Sequence, residues 1–426
     1  MDQHKLFNRW RIVLIGAGAW WLSGANLFFY HAAALLLFLE MMHFWGRTDK
    51  GLYIPPSAHI LGVIVLIYSA SIALHLSDAD TTRVIAALYN LSFWIFGTLL
   101  VIFMANQFRT ENIPKIFDAF YGLSFFIALT ALAILVFWLK GVRDISFPTP
   151  LIGLARYLGD TNLVRDSLWI RPLMWDWFAS VSRPRFNVFS PYPTAAGGCI
   201  MITLLMMMAR ASYLKKMTHP PFLFLFGGCF IGFLMTLSRI SLAGFFLGLV
   251  VVLLVEKKHF PIWIVGILVV SALCFPLIES FSEWIMGLRE GSTSVRFSLY
   301  RYSLEQLHDT DWILGLGVKP RENIFAIPLG SHSTYISMIF KTGVFGVTGV
   351  LLLQASLLLR WVRLRAHVIR HRHLFLFWRA LGMVMIAMAV WMATEDIDAP
   401  QFLAFLYFSM IGCFEGLRRE CLDGVS

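Results

Sequence analysis

Twelve apolar runs, most of them long enough to cross a bilayer, limit what this chain can fold into more than any other feature. They lie near 10–22, 25–45, 57–76, 84–107, 117–138, 193–213, 219–236, 239–255, 259–277, 333–359, 374–393 and 399–416. A hydrocarbon core about 30 Å thick needs ~20 residues of helix. Lipid offers the backbone no hydrogen-bond partner, so each run must be helical. The first run is short and joined to the second by SGAN (23–26), so the pair reads either as a tight hairpin or as one long helix with a re-entrant piece. Charge is scarce, 14% of 426 residues, where soluble domains carry about 25%. The expectation is an all-α polytopic membrane protein of about twelve transmembrane helices, a single integral domain over 1–426.

The loops orient those runs. Basic residues fall in every second connection: Arg9 and Arg11, Arg47 and Lys50, Arg109 and Lys115, then Arg210, Lys215 and Lys216. Lys257 and Lys258, the cluster Arg360, Arg363, Arg365, Arg370 and Arg372, and finally Arg418 and Arg419 continue the alternation. Cytoplasmic loops collect Lys and Arg, so both termini are expected in the cytoplasm. This distribution also accounts for the net charge of +10 without nucleic acid as a partner. The opposite side receives SDAD (77–80), TEDIDAP (394–400) and two large extracytoplasmic loops, 139–192 and 278–332. Cys199, Cys229, Cys274, Cys413 and Cys421 lie in or beside apolar runs without a C-x-x-C pair, and read as buried hydrophobes. Arg9 and Arg11 precede an apolar run that lacks a small-residue cleavage site, so no cleaved signal is expected.

The outer loops hold arginines that this bias should discourage: Arg143, Arg156, Arg165, Arg171, Arg183 and Arg185 in the first, Arg289, Arg296, Arg301 and Arg321 in the second. A guanidinium fork matches phosphate oxygens two at a time, which points to an anionic ligand at the membrane surface, such as a lipid pyrophosphate. The ordinary reading of most of them is solvated loop charge paired with Asp160, Asp166, Asp176, Glu279, Glu283 or Glu305.

Three positions stand apart. Arg239 begins a helix in TLSRISLAGFF, reached from the previous run with almost no loop. A charge so near hydrocarbon faces a cavity or a partner, or snorkels to the interface. Arg296 lies in SVRFSLYRYSLEQL, where Phe297, Leu304 and Leu307 share a helical face and Arg296 falls off it; an ordinary interfacial helix fits as well. His332 stands at a helix start in GSHSTY, with Ser333 and Thr334 as capping hydroxyls. A lone histidine is more often structural than catalytic.

The order T-x-SR-x-S (236–241), R-x-S-x-Y (296–300), W-x-LG-x-G (312–317), H-S-T-Y-I (332–336) and G-V-F-G (343–346) resembles the O-antigen ligase and O-antigen polymerase (Wzy-type) superfamily. The likeness is strongest over Thr236 to Gly346, a core that includes loop 278–332, and weaker over the whole chain. It implies a large helical GT-C-like glycosyltransferase of the bacterial inner membrane, with an extracytoplasmic site acting on undecaprenyl-diphosphate-linked glycan. It implies no cofactor and no metal. Carried over, Arg239 and Arg296 grip the diphosphate and His332 is the base. Further candidates are Arg183 and Arg185 in an arginine-proline loop, Arg301, Tyr335 (orienting His332 or packing), and Glu395, Asp396 or Asp398, one of which pairs with His332 or an arginine. Trp169, Trp175, Trp177 and Phe178 either stack sugars or sit at the interface.

Polymerisation of lipid-linked repeats is the favoured activity. The alternative is ligation to lipid A-core or another terminal acceptor. Implied partners are the donor, a glycan or lipid acceptor, membrane lipids and a chain-length regulator. A twelve-helix transporter is the competing class, but it calls for two similar halves and a long central cytoplasmic loop, whereas the long loops here are external. The lone G-L-G at 315–317 is neither a dinucleotide fingerprint nor a P-loop.

Overall fold

The computed structural model describes residues 3–46, 51–77, 81–158, 164, 167–175, 184–256, 290–319, 329–399 and 401–422. In chain order these form α1 (Gln3–Ile15), α2 (Ala17–Ser23), α3 (Phe29–Trp45), α4 (Pro56–Leu74), α5 (Thr81–Gln107) and α6 (Ile113–Leu139). Strands β1 (Ile145–Pro148), β2 (Trp169–Trp175) and β3 (Pro184–Phe186) follow, then α7 (Pro193–Leu214), α8 (Pro220–Met235) and α9 (Arg239–Val255). The last elements are α10 (Glu290–Glu305), α11 (Thr334–Val368), α12 (Arg372–Trp391) and α13 (Gln401–Leu422).

The protein is a multi-pass, mainly helical membrane protein. Among the described residues, six helices are long and apolar enough to cross a membrane, and α3, α8 and α9 are shorter apolar helices. One expectation changes. The run 10–22 is not one span: the helix stops and restarts at Gly16, and Gly24 (φ 85°) turns the chain toward α3. The run 259–277 lies outside the described residues. The helical membrane class holds, with one small addition outside the spans. The segment between α6 and α7 carries a three-stranded antiparallel sheet, order β1-β2-β3, with Phe147 opposite Ile170 and Leu173 opposite Phe186. Ile170, Leu173 and Phe186 are buried in the main core, so the sheet seals part of one end of the bundle.

Local signals explain where the helices begin. Proline opens α4, α7 and α8, where its missing N–H costs nothing. Serine caps α9 and α11: Ser238 Oγ accepts from the Ser241 amide (3.4 Å) and Ser333 Oγ from the Ile336 amide (3.3 Å). Helices α7 and α13 are buried almost all round, as expected of apolar helices at the centre of a bundle. Around them, α9 packs antiparallel on α12, with Gly244 against the Ala387 carbonyl and Gly248 against that of Met383.

One break in this scaffold positions the W-x-LG-x-G segment. At Gly343 (φ 64°, ψ −161°) α11 leaves helical geometry, and only glycine adopts such a conformation cheaply. The freed carbonyls are taken by the W-x-LG-x-G segment: Leu316 N–H donates to Phe340 (2.8 Å) and Gly317 N–H to Lys341 (2.9 Å). Ser71 Oγ on α4 adds a third donor to the Lys341 carbonyl (2.6 Å). A Cβ on Gly343 would lie 2.2 Å from the Ile313 carbonyl oxygen, and one on Gly315 would lie 2.3 Å from the Lys341 carbonyl carbon. The two glycine motifs are therefore two sides of one backbone crossing. Non-helical backbone at such a depth is tolerated where protein satisfies it.

Candidate functional site

Beside that crossing, three ion pairs descend from one end of the bundle into its interior. The acidic members are near neighbours on the α12–α13 loop, and the basic members come from three other elements. Arg296 Nη2 on α10 meets Glu395 Oε1 at 2.7 Å, and Arg296 Nη1 donates to the Thr394 carbonyl at 3.3 Å. Lys319 Nζ, just past the W-x-LG-x-G segment, meets Asp396 Oδ2 at 2.7 Å. Lys341 Nζ on α11 is paired with Asp398 Oδ2, which also accepts from Trp94 Nε1 at 3.2 Å. Exposure falls down the series: the side chains are 25% and 10% exposed in the first pair, 8% and 11% in the second, and 1% and 2% in the third.

His332 stands over this ladder in a left-handed backbone conformation (φ 65°). For a residue with a Cβ such a conformation costs roughly 1–3 kcal/mol and persists only when its surroundings impose it. They do so here. Tyr300 on α10 donates its hydroxyl to the His332 carbonyl. Two residues on, Thr334 ties the start of α11 to the acidic loop, its amide donating to Met392 (2.9 Å) and Glu395 (3.0 Å) and its hydroxyl to Glu395 (2.8 Å). Burial pushes the His332 imidazole below its ordinary pKa and Arg296 adds to that, while Glu395 and Asp396 oppose it. The ring is therefore neutral near pH 7, with a nitrogen free to accept a proton. Asp396 Oδ1 is buried and, among the described residues, accepts no hydrogen bond.

Arg239 is the first residue of α9, after the strained Leu237 (φ 52°). The α9–α12 register carries it to the C-terminal end of α12, next to the loop that holds Glu395. The starts of α7 and α9 and the end of α12 meet at Thr194, whose carbonyl accepts from Trp391 Nε1 (3.1 Å) and Ser241 Oγ (3.4 Å). Arg185 is buried, and its Nε donates to the Thr236 carbonyl (2.8 Å), so it props the turn that presents Arg239. Arg296, His332, Glu395 and Asp396 are thus neighbours, and Arg239 stands at the same end of the bundle. Arg183, Trp177 and Phe178 lie outside the described residues.

Two expectations are corrected, for Arg301 and for the buried face of α10, and for Tyr335 one of two alternatives is decided. Arg301 points away, 83% exposed and paired with Glu305 one turn on. Tyr335 does not orient His332: its hydroxyl lies 2.7 Å from Gln354 Oε1 and 3.0 Å from the Ala389 carbonyl, joining α11 to α12. The buried face of α10 is Leu299, Ser303 and Leu307, with Arg296 on the same side, whereas Phe297 is 63% exposed. Leu299 and Leu307 pack on Leu329 and Phe340, and this packing turns Arg296 inward.

Lys319 and Lys341 escaped the sequence reading. Lys341 had a signal: a lysine inside the apolar run STYISMIFKTGVFG requires a partner. Lys319 is a loop lysine until the crossing buries it, and it has no comparable mark.

Comparison with known proteins bears on the same residues. Residues 222–351 match the family model described as O-antigen ligase, a span that holds Arg239, Arg296, Lys319, His332 and Lys341 but stops short of the acidic loop. A search of curated proteins finds no match.

Proposed function

We propose that this chain, a member of the O-antigen ligase family through residues 222–351, is a membrane glycosyltransferase that polymerises undecaprenyl-diphosphate-linked glycan repeats. The reaction takes place at the outer face of the bacterial inner membrane, an orientation supported by the basic connections on the opposite side. The observation that carries this reading is the meeting of Arg296, His332 and the acidic loop around a strained backbone, inside and beside the family segment. Its chemistry suits transfer from a lipid diphosphate. The acceptor hydroxyl loses its proton to the His332 imidazole as its oxygen bonds to the anomeric carbon. The bond from that carbon to the diphosphate oxygen breaks, and its electron pair leaves with the diphosphate. Arg296 and Arg239 bear the charge that develops there. Asp396 Oδ1, an acceptor in want of a donor, orients a hydroxyl of the incoming sugar. A single displacement inverts the anomeric configuration. The donor is already activated, so the step draws on no nucleotide.

A ligase reading has its own support in the description of the matching family. Both readings share the chemistry and differ in the acceptor. Purified protein in proteoliposomes, given only lipid-linked repeat units, lengthens the glycan if it is a polymerase. If no lengthening occurs until a lipid A-core acceptor is added, the chain is a ligase. Failure of both assays with intact protein would remove the glycosyl-transfer reading.

A further inference from the structure

We propose that Glu395 sits in the place of the donor diphosphate on Arg296, and that donor binding displaces it so that its charge then serves His332. This rests on the reading of Arg296 as a diphosphate ligand and His332 as the base. The starting observation is that the Arg296 fork is already filled. One nitrogen holds Glu395 Oε1 at 2.7 Å and another the Thr394 carbonyl at 3.3 Å. A carboxylate and a phosphate offer the same pair of oxygens to a guanidinium, so an arriving diphosphate competes with this loop for the same donors.

The ladder shows which pair can yield. Lys341 and Asp398 are 1% and 2% exposed, and opening them would strand two charges inside the bundle. Arg296 and Glu395 are 25% and 10% exposed, at the rim, where an incoming anion can replace the carboxylate without leaving Arg296 bare. The backbone of Glu395 cannot follow its side chain outward. Its carbonyl takes both donors of Thr334, and the next residue is held by Lys319. A displaced carboxylate therefore swings about a fixed Cα and stays beside His332.

Among the described residues, the groups that face His332 are Arg296 and Tyr300 from α10, Lys319 from the segment after the single turn Asp311–Leu314, and Glu395 and Asp396 from the α12–α13 loop. Of these, Glu395 most strongly favours the protonated ring. While Arg296 holds Glu395, much of that influence is neutralised. Once the diphosphate claims Arg296, the Glu395 charge stands uncompensated beside the imidazole. The proton then passes from the acceptor hydroxyl to His332, and the imidazolium so formed has a counter-ion. The electron pair of the broken bond remains on the diphosphate, against Arg296. Glu395 is thus a positioning residue that makes the base strong only when a donor is in place.

The test separates binding from turnover in Glu395→Gln protein reconstituted in nanodiscs. Binding is read with farnesyl diphosphate, which carries no sugar, and turnover with lipid-linked repeat units. The expected result is tighter probe binding, on the order of tenfold, together with a fall in kcat of at least the same order and an acid limb of kcat, which reports the donor-bound state, moved to lower pH. A residue that merely supports the fold would weaken both readouts, and weaker or unchanged probe binding overturns the proposal. Glu395→Asp keeps the charge but falls short of the fork. It should bind tightly with kcat partly restored, and it decides the matter alone if the glutamine variant does not fold. Glu305→Gln, on the exposed face of α10, should change neither readout. Wild-type protein that binds the probe but transfers no glycan to any acceptor would defeat the activity reading while leaving the exchange intact. Wild-type transfer with weakened binding in Glu395→Gln would defeat the exchange alone.

Discussion

The two ends of the bundle use the same ingredients to different purpose. At the end rich in basic connections, Glu415 is fully buried and closed on every side. Its Oε1 takes the Ser57 amide (3.2 Å), the Ser57 hydroxyl and Arg360 Nη1 (2.5 Å), and its Oε2 takes Arg418 Nε (3.2 Å). Arg418 reaches on to the Tyr53 hydroxyl (2.8 Å). None of Tyr53, Ser57, Arg360, Glu415 and Arg418 has a positive φ. At the other end the pairs are one-to-one, Asp396 keeps an oxygen in hand, and both Leu237 and His332 hold unfavourable backbone angles. A saturated polar network fixes a fold. An unsaturated, strained and partly exposed one has room for a ligand to complete it.

That contrast is broken most directly at His332. His332→Ala should lower transfer by about 10²- to 10⁴-fold, the usual contribution of a positioned base. Farnesyl diphosphate binding and the thermal midpoint should stay near wild type. Turnover that survives the substitution removes His332 as the base. The same experiment at the closed end should give the opposite pattern. Glu415→Ala leaves the half-buried Arg360 and Arg418 without their counter-ion, a loss of up to about 3 kcal/mol. It should appear as a large drop in the midpoint by scanning fluorimetry in detergent, with kcat per folded molecule retained. Should Glu415→Ala instead lose turnover at an unchanged midpoint, the closed end has a role beyond the fold.

Much of this architecture could be read from residues alone, and the losses have physical causes. The apolar runs and alternating basic loops showed a multi-pass membrane protein, because hydrocarbon permits few alternatives. Arg239 and His332 were conspicuous, one opening a helix and the other two residues before one, each beside a serine cap. The inward turn of Arg296 was not visible. In a soluble protein Phe297 would mark the buried face of α10, but here Leu299 and Leu307 claim that face and Phe297 is left 63% exposed. When apolar residues line both protein-facing and outward-facing surfaces, periodicity cannot say which is which. The sheet was missed because strands of three to seven residues interrupted by Pro172 and Pro184 leave little alternation to detect. The partner of Lys341 lies fifty-seven residues away, on the α12–α13 loop, a pairing only the folded chain defines.

The smallest expected effect draws the line between the open site and ordinary surface charge. Arg296 and Arg301 lie five residues apart on α10, and each is paired with a glutamate at 2.7–2.8 Å. By pair geometry alone they are equivalent. Their surroundings are not: Arg296 and Glu395 are mostly buried, while Arg301 and Glu305 are 83% and 53% exposed. Water and salt screen the second pair, so little of its attraction survives. Arg301→Ala should therefore leave KM, kcat and the thermal midpoint within error of wild type. Arg296→Ala should raise the KM for the lipid-linked donor by about 10- to 100-fold, as loss of a charge-assisted contact worth about 1.5–3 kcal/mol requires. If the two substitutions raise KM alike, what draws the donor is the summed charge of the outer loops, and the inward turn of α10 has no special part in holding it.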